Sequence, residues 1–272
     1  MADDSADDAP RVVLEDLTKD YGDFTAVDHI DLEAPEGRVF GILGPNGAGK
    51  TTTLRMMTGL LEPTAGRIVI DGHDTRESPV AAKRITGFIP DRPYVYDKLT
   101  AFEYLRFIGG LYEMTADHIA DRIDELLGLF ELEEWGDSLI ESFSHGMKQR
   151  LVFAGALLPE PKLLVIDEPM VGLDPKGHHL AKDLFRDLAH EDELTVFLST
   201  HTLEVAEEVC DQIVIINHGR IVARGTLDEL RIESGADEGS LEEVFLALTE
   251  ESEEERADAV ARRFGRDPDA PD

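Results

Sequence analysis

A glycine-rich segment that leads into a predicted helix has the spacing of a phosphate-binding loop. Glycines let successive backbone N–H groups point at phosphate oxygens, and the N-terminus of the following helix favours an anion. We expect Lys50 to reach the β- and γ-phosphates of a nucleotide and the hydroxyl of Thr51 to ligate Mg²⁺. A strand before and a helix after the loop disfavour a chance glycine-rich turn. The predicted phosphate-binding residues are Gly44, Pro45, Asn46, Gly47, Ala48, Gly49, Lys50, Thr51 and Thr52.

A second motif consists of an apolar run, Leu163–Ile166, followed directly by Asp167 and Glu168. Such a buried strand places both carboxylates at its C-terminal end, where α/β proteins bind ligands. We expect Asp167 to hold Mg²⁺ and Glu168 to orient and deprotonate an attacking water. An apolar strand followed by two acids is common by itself, but its combination with a phosphate-binding loop indicates nucleotide hydrolysis.

The elements that must position these motifs alternate between strand and helix. Short apolar runs at Arg38–Leu43, Leu163–Ile166 and Thr195–Leu198 predict buried strands, and the helical patterns between them predict a mainly parallel α/β sheet. Antiparallel strands are expected before Glu33. Apolar positions at helical spacing predict an inserted helical block at about 98–158.

Three further features accompany the two motifs, namely Tyr21 in a predicted turn, His201 after a strand, and the loop Gly172–Pro175. With them, the chain from about residue 11 to 232 resembles the nucleotide-binding domain of the ABC family. The resemblance implies the P-loop NTPase fold of ABC ATPases, with an N-terminal antiparallel β-subdomain and an inserted helical subdomain. It also implies ATP as the substrate and hydrolysis to ADP and phosphate.

The resemblance assigns roles to these three features. Tyr21 would stack on adenine, although a tyrosine in a turn has a simple structural explanation. His201 would be the switch histidine, which contacts the γ-phosphate and holds Glu168 and the attacking water, so that Lys50, Glu168 and His201 form the catalytic set. Asp174 lies in the loop that crosses the dimer interface in this family.

The family's signature segment departs from its common form here. It commonly reads Leu-Ser-Gly-Gly-Gln, and this chain has Ser144, His145, Gly146 and Met147 after Phe143. Ser144 and Gly146 retain the groups that contact the γ-phosphate held by the partner subunit. His145 either titrates against that phosphate or simply faces outward. This form resembles the ABC-2 type exporter branch.

A second departure concerns the loop that carries a glutamine in most of the family. It reads Phe88-Ile89-Pro90-Asp91-Arg92-Pro93, and Asp91 takes the glutamine's place. A carboxylate can still ligate Mg²⁺, but without the metal it repels the γ-phosphate. We therefore expect hydrolysis with an altered metal dependence. In the family this loop also links the nucleotide site to the membrane partner.

The resemblance further implies partners. Each ATP would be sandwiched between two ATPase subunits, in a homodimer or a heterodimer, and a separate multi-span permease chain would carry the substrate outward. The competing class is a soluble ABC ATPase that acts in translation or on DNA. A single ATP module and one compact helical block without heptads disfavour that class, and Ser144, Gly146 and His201 disfavour a plain P-loop kinase.

Composition limits the possible partners and location. The chain has 272 residues and a net charge of −32, which argues against binding nucleic acid. Acidic tails or adaptation to high salt would each explain this charge, and acids within predicted helices favour the second explanation. There is one cysteine, the N-terminus does not resemble a signal peptide, and no apolar run approaches the ~20 residues of a membrane span. We expect a peripheral protein on the cytoplasmic face of the cell membrane, held there by the permease.

The expected organisation follows from these patterns. The segments are a disordered acidic tail (1–10), the ATP-binding domain (11–232) with its helical subdomain (about 98–158), a C-terminal helical extension (233–265) and a disordered tail (266–272).

Overall fold

The structure is a computed structural model that describes residues 10–168, 175–190, 193–200, 202–235 and 240–249, with the backbone alone for residues 175–181. The strands are β1 (Val12–Tyr21), β2 (Phe24–Ala34), β3 (Val39–Leu43), β4 (Ala65–Ile70), β5 (His73–Asp74), β6 (Thr86–Ile89), β7 (Leu163–Asp167), β8 (Thr195–Ser199), β9 (Gln212–Asn217) and β10 (Arg220–Gly225). The α-helices are α1 (Lys50–Met57), α2 (Pro79–Arg84), α3 (Ala101–Leu111), α4 (Ala116–Leu129), α5 (His145–Leu157), α6 (Pro175–His190), α7 (Leu203–Val209), α8 (Leu227–Ser234) and α9 (Leu241–Thr249).

The first sheet is antiparallel and has the strand order β2-β1-β4-β5. Val12, Leu14 and Leu17 of β1 are buried, while the residues between them are more exposed, as expected for a sheet with one face on the core. A hairpin connects β1 and β2, with Tyr21 opposite Phe24 at its tip. The predicted N-terminal antiparallel sheet is confirmed.

The second sheet has the strand order β10-β9-β3-β8-β7-β6, and all its neighbours are parallel except β9 and β10. Every residue of β3, β7 and β8 is buried, because helices cover both faces of such a sheet. Phe40 and Phe197 stack across β3 and β8 with ring centroids 4.9 Å apart. The mainly parallel core sheet is therefore also confirmed.

Helices α3, α4 and α5 are inserted between β6 and β7. Thr100 begins α3 with a capping box that Glu103 completes. Phe130, Phe153 and Phe185 form a row of ring contacts between this block and α6, with successive centroids 5.9 Å apart. Burial of the apolar faces of α3 and α4 explains the helical spacing in the sequence.

Some elements differ from the sequence prediction. Phe88 and Ile89, expected in a loop, belong to β6, because they pair in parallel with β7. Short segments such as β5 and α2 have too few residues to show a periodic pattern. The division of the chain at residue 232 stays a prediction; helix α8 (Leu227–Ser234) spans that point and begins with a capping box at Thr226 and Glu229.

Within the described part of the chain, no helix combines the length and apolar character that a membrane span requires.

Candidate functional site

The predicted nucleotide-binding motifs meet at one edge of the second sheet. Strands β3, β8, β7 and β6 are consecutive and parallel, so their C-terminal ends lie side by side. Ser199 pairs with Ile42 on one side and with Asp167 on the other. The phosphate loop follows β3, and Asp91 follows β6 by two residues. Segments far apart in sequence thus converge on one site.

Glycines allow the phosphate loop its conformation at two tightly packed points. Gly49, the residue before α1, has a φ of 109°, and a Cβ there would lie 2.5 Å from the carbonyl oxygen of Ala26 on β2. A Cβ on Gly44 would overlap the carbonyl oxygen of Ile216 on β9. Gly47, with a φ of 83°, has open space around it. The loop backbone is therefore set by the strands that flank it.

Lys50 lies inside the phosphate loop. Its ammonium donates to the carbonyl oxygens of Gly44 at 2.7 Å and Pro45 at 3.1 Å, and the residue is 8% exposed. Burial lowers the pKa of Lys50, and the negative charges of Glu168 and Asp167 partly oppose this shift. The lysine is thus held next to the loop amides that would surround a phosphate group.

Thr51 and Asp167 form the part of the site that fits Mg²⁺. The hydroxyl of Thr51 donates to Asp167 Oδ1 at 3.3 Å, so a hydroxyl and a carboxylate from separate elements converge. Asp167 is 5% exposed and accepts a second hydrogen bond at 2.6 Å from Ser199 Oγ, which orients it. Hard oxygen ligands of this kind suit Mg²⁺, which commonly takes one or two protein ligands together with substrate phosphates.

The described residues contain no group of three or more His, Cys, Asp or Glu side chains able to hold a metal ion. The fit of Thr51 and Asp167 is therefore to a cation that is completed by phosphate oxygens and water.

Glu168 follows β7 and has an unusual backbone. Its φ is 55°, in the left-handed region that a non-glycine residue rarely adopts. The backbone N–H of Glu168 donates to the carbonyl oxygen of Ser199 at 3.1 Å and to Ser199 Oγ at 3.2 Å. Ser199 therefore supports both predicted carboxylates, and the strained conformation is held by its neighbour on β8.

The segment after β8 lies next to the phosphate-loop strand. Thr200 is 1% exposed; its N–H donates to the carbonyl oxygen of Ile42 at 3.4 Å, and its hydroxyl accepts from the N–H of Thr202 at 3.0 Å. His201 and Asp174 lie outside the described residues, so their expected roles stay predictions. Thr52 is half-buried in the first turn of α1.

Two predicted residues stand apart from this cluster. Tyr21 is exposed at the hairpin tip, where the ammonium of Lys19 lies 5.4 Å from its ring centroid. Asp91 is partly buried on the same sheet edge as Asp167.

The signature segment forms the N-terminus of α5. Ser144 is the N-cap residue, and its Oγ accepts from the N–H of Met147 at 3.3 Å. Ser144 and His145 are exposed, and Gly146 and Met147 are partly so. Among the described residues, no hydrogen bond or ion pair joins Ser144 or His145 to the phosphate loop. The outward-facing alternative for His145 agrees with its exposure.

Sequence reasoning missed several supporting residues. Ser199 hydrogen-bonds both Asp167 and the backbone of Glu168, and Thr200 ties the segment after β8 to Ile42 of β3. Gly219 was also missed; its N–H donates to the carbonyl oxygen of Ala48 at 3.0 Å, and its carbonyl accepts from Asp28. A serine at the end of a buried strand was the available signal for Ser199. Nothing local marked Gly219.

A protein-family profile described as "ABC transporter" matches residues 27–171. The chain belongs to the ABC transporter family. It is 39% identical to a daunorubicin resistance ATP-binding protein of Streptomyces coeruleorubidus, over 83% of this chain and 71% of that one. It is 38% identical to a Nod factor export ATP-binding protein of Cupriavidus metallidurans, over 80% of this chain and 71% of that one.

Solved structures agree with this family. One described as the ATP-binding subunit of an ABC transporter superposes with a TM-score of 0.83 at 35% identity, over 88% of this chain and 99% of that one. A dimeric ATP-binding cassette in a post-hydrolysis state with ADP and Pi gives a TM-score of 0.72 at 28% identity, over 79% and 98% of the two chains. The ABC member described here is an ATP-binding subunit and an ATPase.

Proposed function

We propose that this ATPase powers an ABC-2 type exporter by ATP-driven closing and opening of a dimer. Bound through a separate multi-span permease, it would lie peripherally on the cytoplasmic face of the membrane. The names of the daunorubicin resistance and Nod factor export relatives support export, as does the form of the segment Ser144–Met147. The observation that carries the proposal is the exposed helix N-terminus at Ser144, outside the chain's own phosphate loop.

Within one subunit, the site's own groups account for hydrolysis. The loop amides and Lys50 would bind the β- and γ-phosphates of ATP, with Lys50 exchanging the carbonyls of Gly44 and Pro45 for phosphate oxygens. A carboxylate oxygen of Glu168 would orient the attacking water and accept its proton. His201 would contact the γ-phosphate. Bound Mg²⁺, held by Thr51 and Asp167, supplies neutralisation of phosphate charge.

The second subunit completes the site. The helix N-terminus of α5 offers free amides and the Ser144 hydroxyl, a combination suited to an anion. We expect these groups to contact the γ-phosphate bound by the partner's phosphate loop. Cleavage of the γ-phosphate would then remove contacts that hold two subunits together, and the dimer would open.

An exposed apolar patch supports a docking position for the permease. The aromatic patch is formed by Tyr96 and Phe107, and Tyr94 and Leu111, close to them in the sequence, are also exposed. Tyr96 and Phe107 meet edge to face with centroids 5.5 Å apart. The patch includes Tyr96, a residue of the loop that carries Asp91, so a partner bound here would be connected to the nucleotide site. Large exposed apolar patches mark interaction sites in soluble domains.

The dimer cycle is tested with Glu168→Gln, which keeps the shape of the side chain and removes the proton acceptor. We expect hydrolysis to fall at least ~100-fold, while ATP with Mg²⁺ doubles the mass measured by light scattering after size exclusion. Adding Ser144→Arg should restore the monomer. A Glu168→Gln protein that binds ATP and remains monomeric would contradict the dimer mechanism, unless a second ATPase subunit rescues it.

Docking is tested by affinity purification from native membranes in the salt of the source cells. We expect a multi-span membrane protein to co-purify with the parent chain and to be lost with Phe107→Glu. Leu60→Glu, at an exposed apolar residue outside the patch, should retain it. Recovery of ribosomes, DNA or soluble factors without a membrane chain would favour the non-transport class.

A further inference from the structure

Helix α9 (Leu241–Thr249) is attached at both ends to elements that border the nucleotide site. At its start, the N–H of Leu241 donates to the Glu207 carboxylate on α7 at 2.8 Å. At its end, the side-chain amide of Asn217 on β9 donates to the carbonyl oxygen of Thr249 at 3.5 Å. Because α7 follows His201 and β9 ends beside Gly44, α9 bridges two walls of the site.

The buried face of α9 joins the core directly beneath the phosphate loop. Leu241 and Val244 are fully buried in one cluster with Leu43, the residue before Gly44, and with Ile215 of β9. Ser240 and Glu243 form a capping box, with hydrogen bonds of 3.4 and 3.1 Å. These contacts define the orientation of α9 independently of its remaining side chains.

Phe245 is the residue of α9 that reaches the nucleotide site. It is partly buried and lines a cavity of about 230 Å³. One wall of this cavity is the phosphate loop, at Gly44, Pro45 and Asn46, and another is Thr200 and Leu203, on either side of His201. The ring therefore borders a cavity that the phosphate loop and the segment after β8 also line.

We infer that Phe245 is a positioning residue for ATP hydrolysis, which sets the phosphate loop against the segment that follows β8. Without the ring, the cavity becomes larger, and the phosphate loop and the segment after β8 lose a support that they share. Small misplacements of reacting groups reduce rates strongly. Phosphate binding depends on loop amides and Lys50, which Phe245 does not replace, so the catalytic step should suffer more than binding. The inference rests on the ATPase activity and does not require the permease.

The test compares Phe245→Ala with Leu248→Ala in the full chain. Leu248 lies on the same helix, is partly buried and packs on the same cluster, but it does not line the cavity. We measure kcat and KM for ATP, together with Tm. We expect Phe245→Ala to lower kcat about tenfold and to change KM by less than about threefold. Leu248→Ala should lower Tm comparably and keep kcat within about twofold of the parent.

Two further variants make the result decisive. Phe245→Met keeps most of the side-chain volume and should restore kcat to within about twofold of the parent. If Phe245→Ala does not fold, Phe245→Val is measured in its place with the same expectation. A folded Phe245→Ala or Phe245→Val protein with the parent's kcat overturns the inference. Equal losses of kcat in Leu248→Ala and Phe245→Ala also overturn it, because they would reflect looser packing of α9.

Discussion

At the scale of single residues, the site combines a closely packed phosphate loop with an unusual residue, Asp91, in the loop after β6. Gly44 and Gly49 have no room for a Cβ, because the backbones of Ile216 and Ala26 touch them. Asp91 is unusual because most of the family has glutamine at this position. The pairing of β6 with β7 brings Asp91 to the sheet edge that also carries Asp167. We expect the negative charge of Asp91 to make nucleotide binding sensitive to the metal.

The prediction for Asp91 concerns ATP binding without metal. Asp91→Asn removes a negative charge and keeps the length of the side chain. We expect it to tighten ATP binding in EDTA several-fold, about 1 kcal/mol, because repulsion of the γ-phosphate is relieved. With saturating Mg²⁺ the difference should become small. Equilibrium titration with a fluorescent ATP analogue measures both conditions.

The control is Asp137→Asn, at an exposed acid of the helical block, which should bind ATP as the parent does. Equal changes in both variants would contradict a local effect of Asp91.

At the scale of elements, the loop after β6 is fastened to the segment that precedes the signature helix. The N–H of Ile140 donates to the carbonyl oxygen of Leu99 at 2.9 Å, and the N–H of Glu141 donates to that of Asp97 at 3.0 Å. Lys148 on α5 donates to the Asp97 carboxylate at 2.6 Å. These contacts connect the loop to the helix that begins at Ser144, and we expect movement of the loop to reach that helix.

The prediction for this connection uses a charge swap. Lys148→Asp should weaken ATP-dependent dimerisation of the Glu168→Gln protein by about fivefold, because the first turn of α5 loses its ion pair and gains repulsion from Asp97. Adding Asp97→Lys should recover most of the loss. The dimer dissociation constant, measured by sedimentation, is the readout. Failure of the double variant to recover affinity, with an unchanged Tm, would contradict a role for the pair.

At the scale of the whole molecule, charge dominates. A net charge of −32 makes the folded chain repel itself electrostatically. Several of the few cations are paired; Arg11 bridges Asp71 and Glu36, and Lys162 donates to Asp71 at 2.7 Å. Asp71 lies in the turn after β4, and Lys162 directly precedes β7, so this cluster ties the two sheets together.

The first prediction at this scale is that salt stabilises the fold. The electrostatic screening length falls from ~10 Å at 0.1 M to ~3 Å at 1 M ionic strength, so salt weakens the repulsion between acids. We expect Tm to rise by several degrees between 0.1 M and 2 M KCl. Calorimetry or circular dichroism measures this. An unchanged Tm would remove the case for adaptation to high salt and leave an ordinary acidic protein.

The second prediction concerns acid. Burial alone would raise the pKa of Asp71, but the hydrogen bond from Lys162 and the charges of Arg11 and Lys162 outweigh it and lower the pKa. A lowered folded-state pKa stabilises the fold above the ordinary value of about 4, and this stabilisation is lost as the pH falls through the folded value.

Asp71→Asn should therefore lower the free energy of unfolding by about 1 kcal/mol near pH 7. The difference from the parent should shrink below about pH 4. Urea unfolding measures both, and a constant difference would contradict the ion cluster.

The sequence by itself determined the local machinery of this protein. The phosphate loop could be predicted because its chemistry depends on closely spaced glycines and on Lys50 at the start of a helix. Asp167 and Glu168 could be predicted as site residues because an apolar strand directly precedes them. The helical spacing in α3 and α4 was equally local.

Only the tertiary structure decided which of these pieces meet. The order β3-β8-β7-β6 depends on pairing between strands far apart in sequence, and it alone puts Ser199 against Asp167 and Asp91 on their edge. Phe88 and Ile89 became a strand only through β7. The place of Phe245 beside Gly44 follows from the packing of α9 on Leu43 and α7. Side-chain periodicity reports which face of an element is buried, but not which distant element covers it.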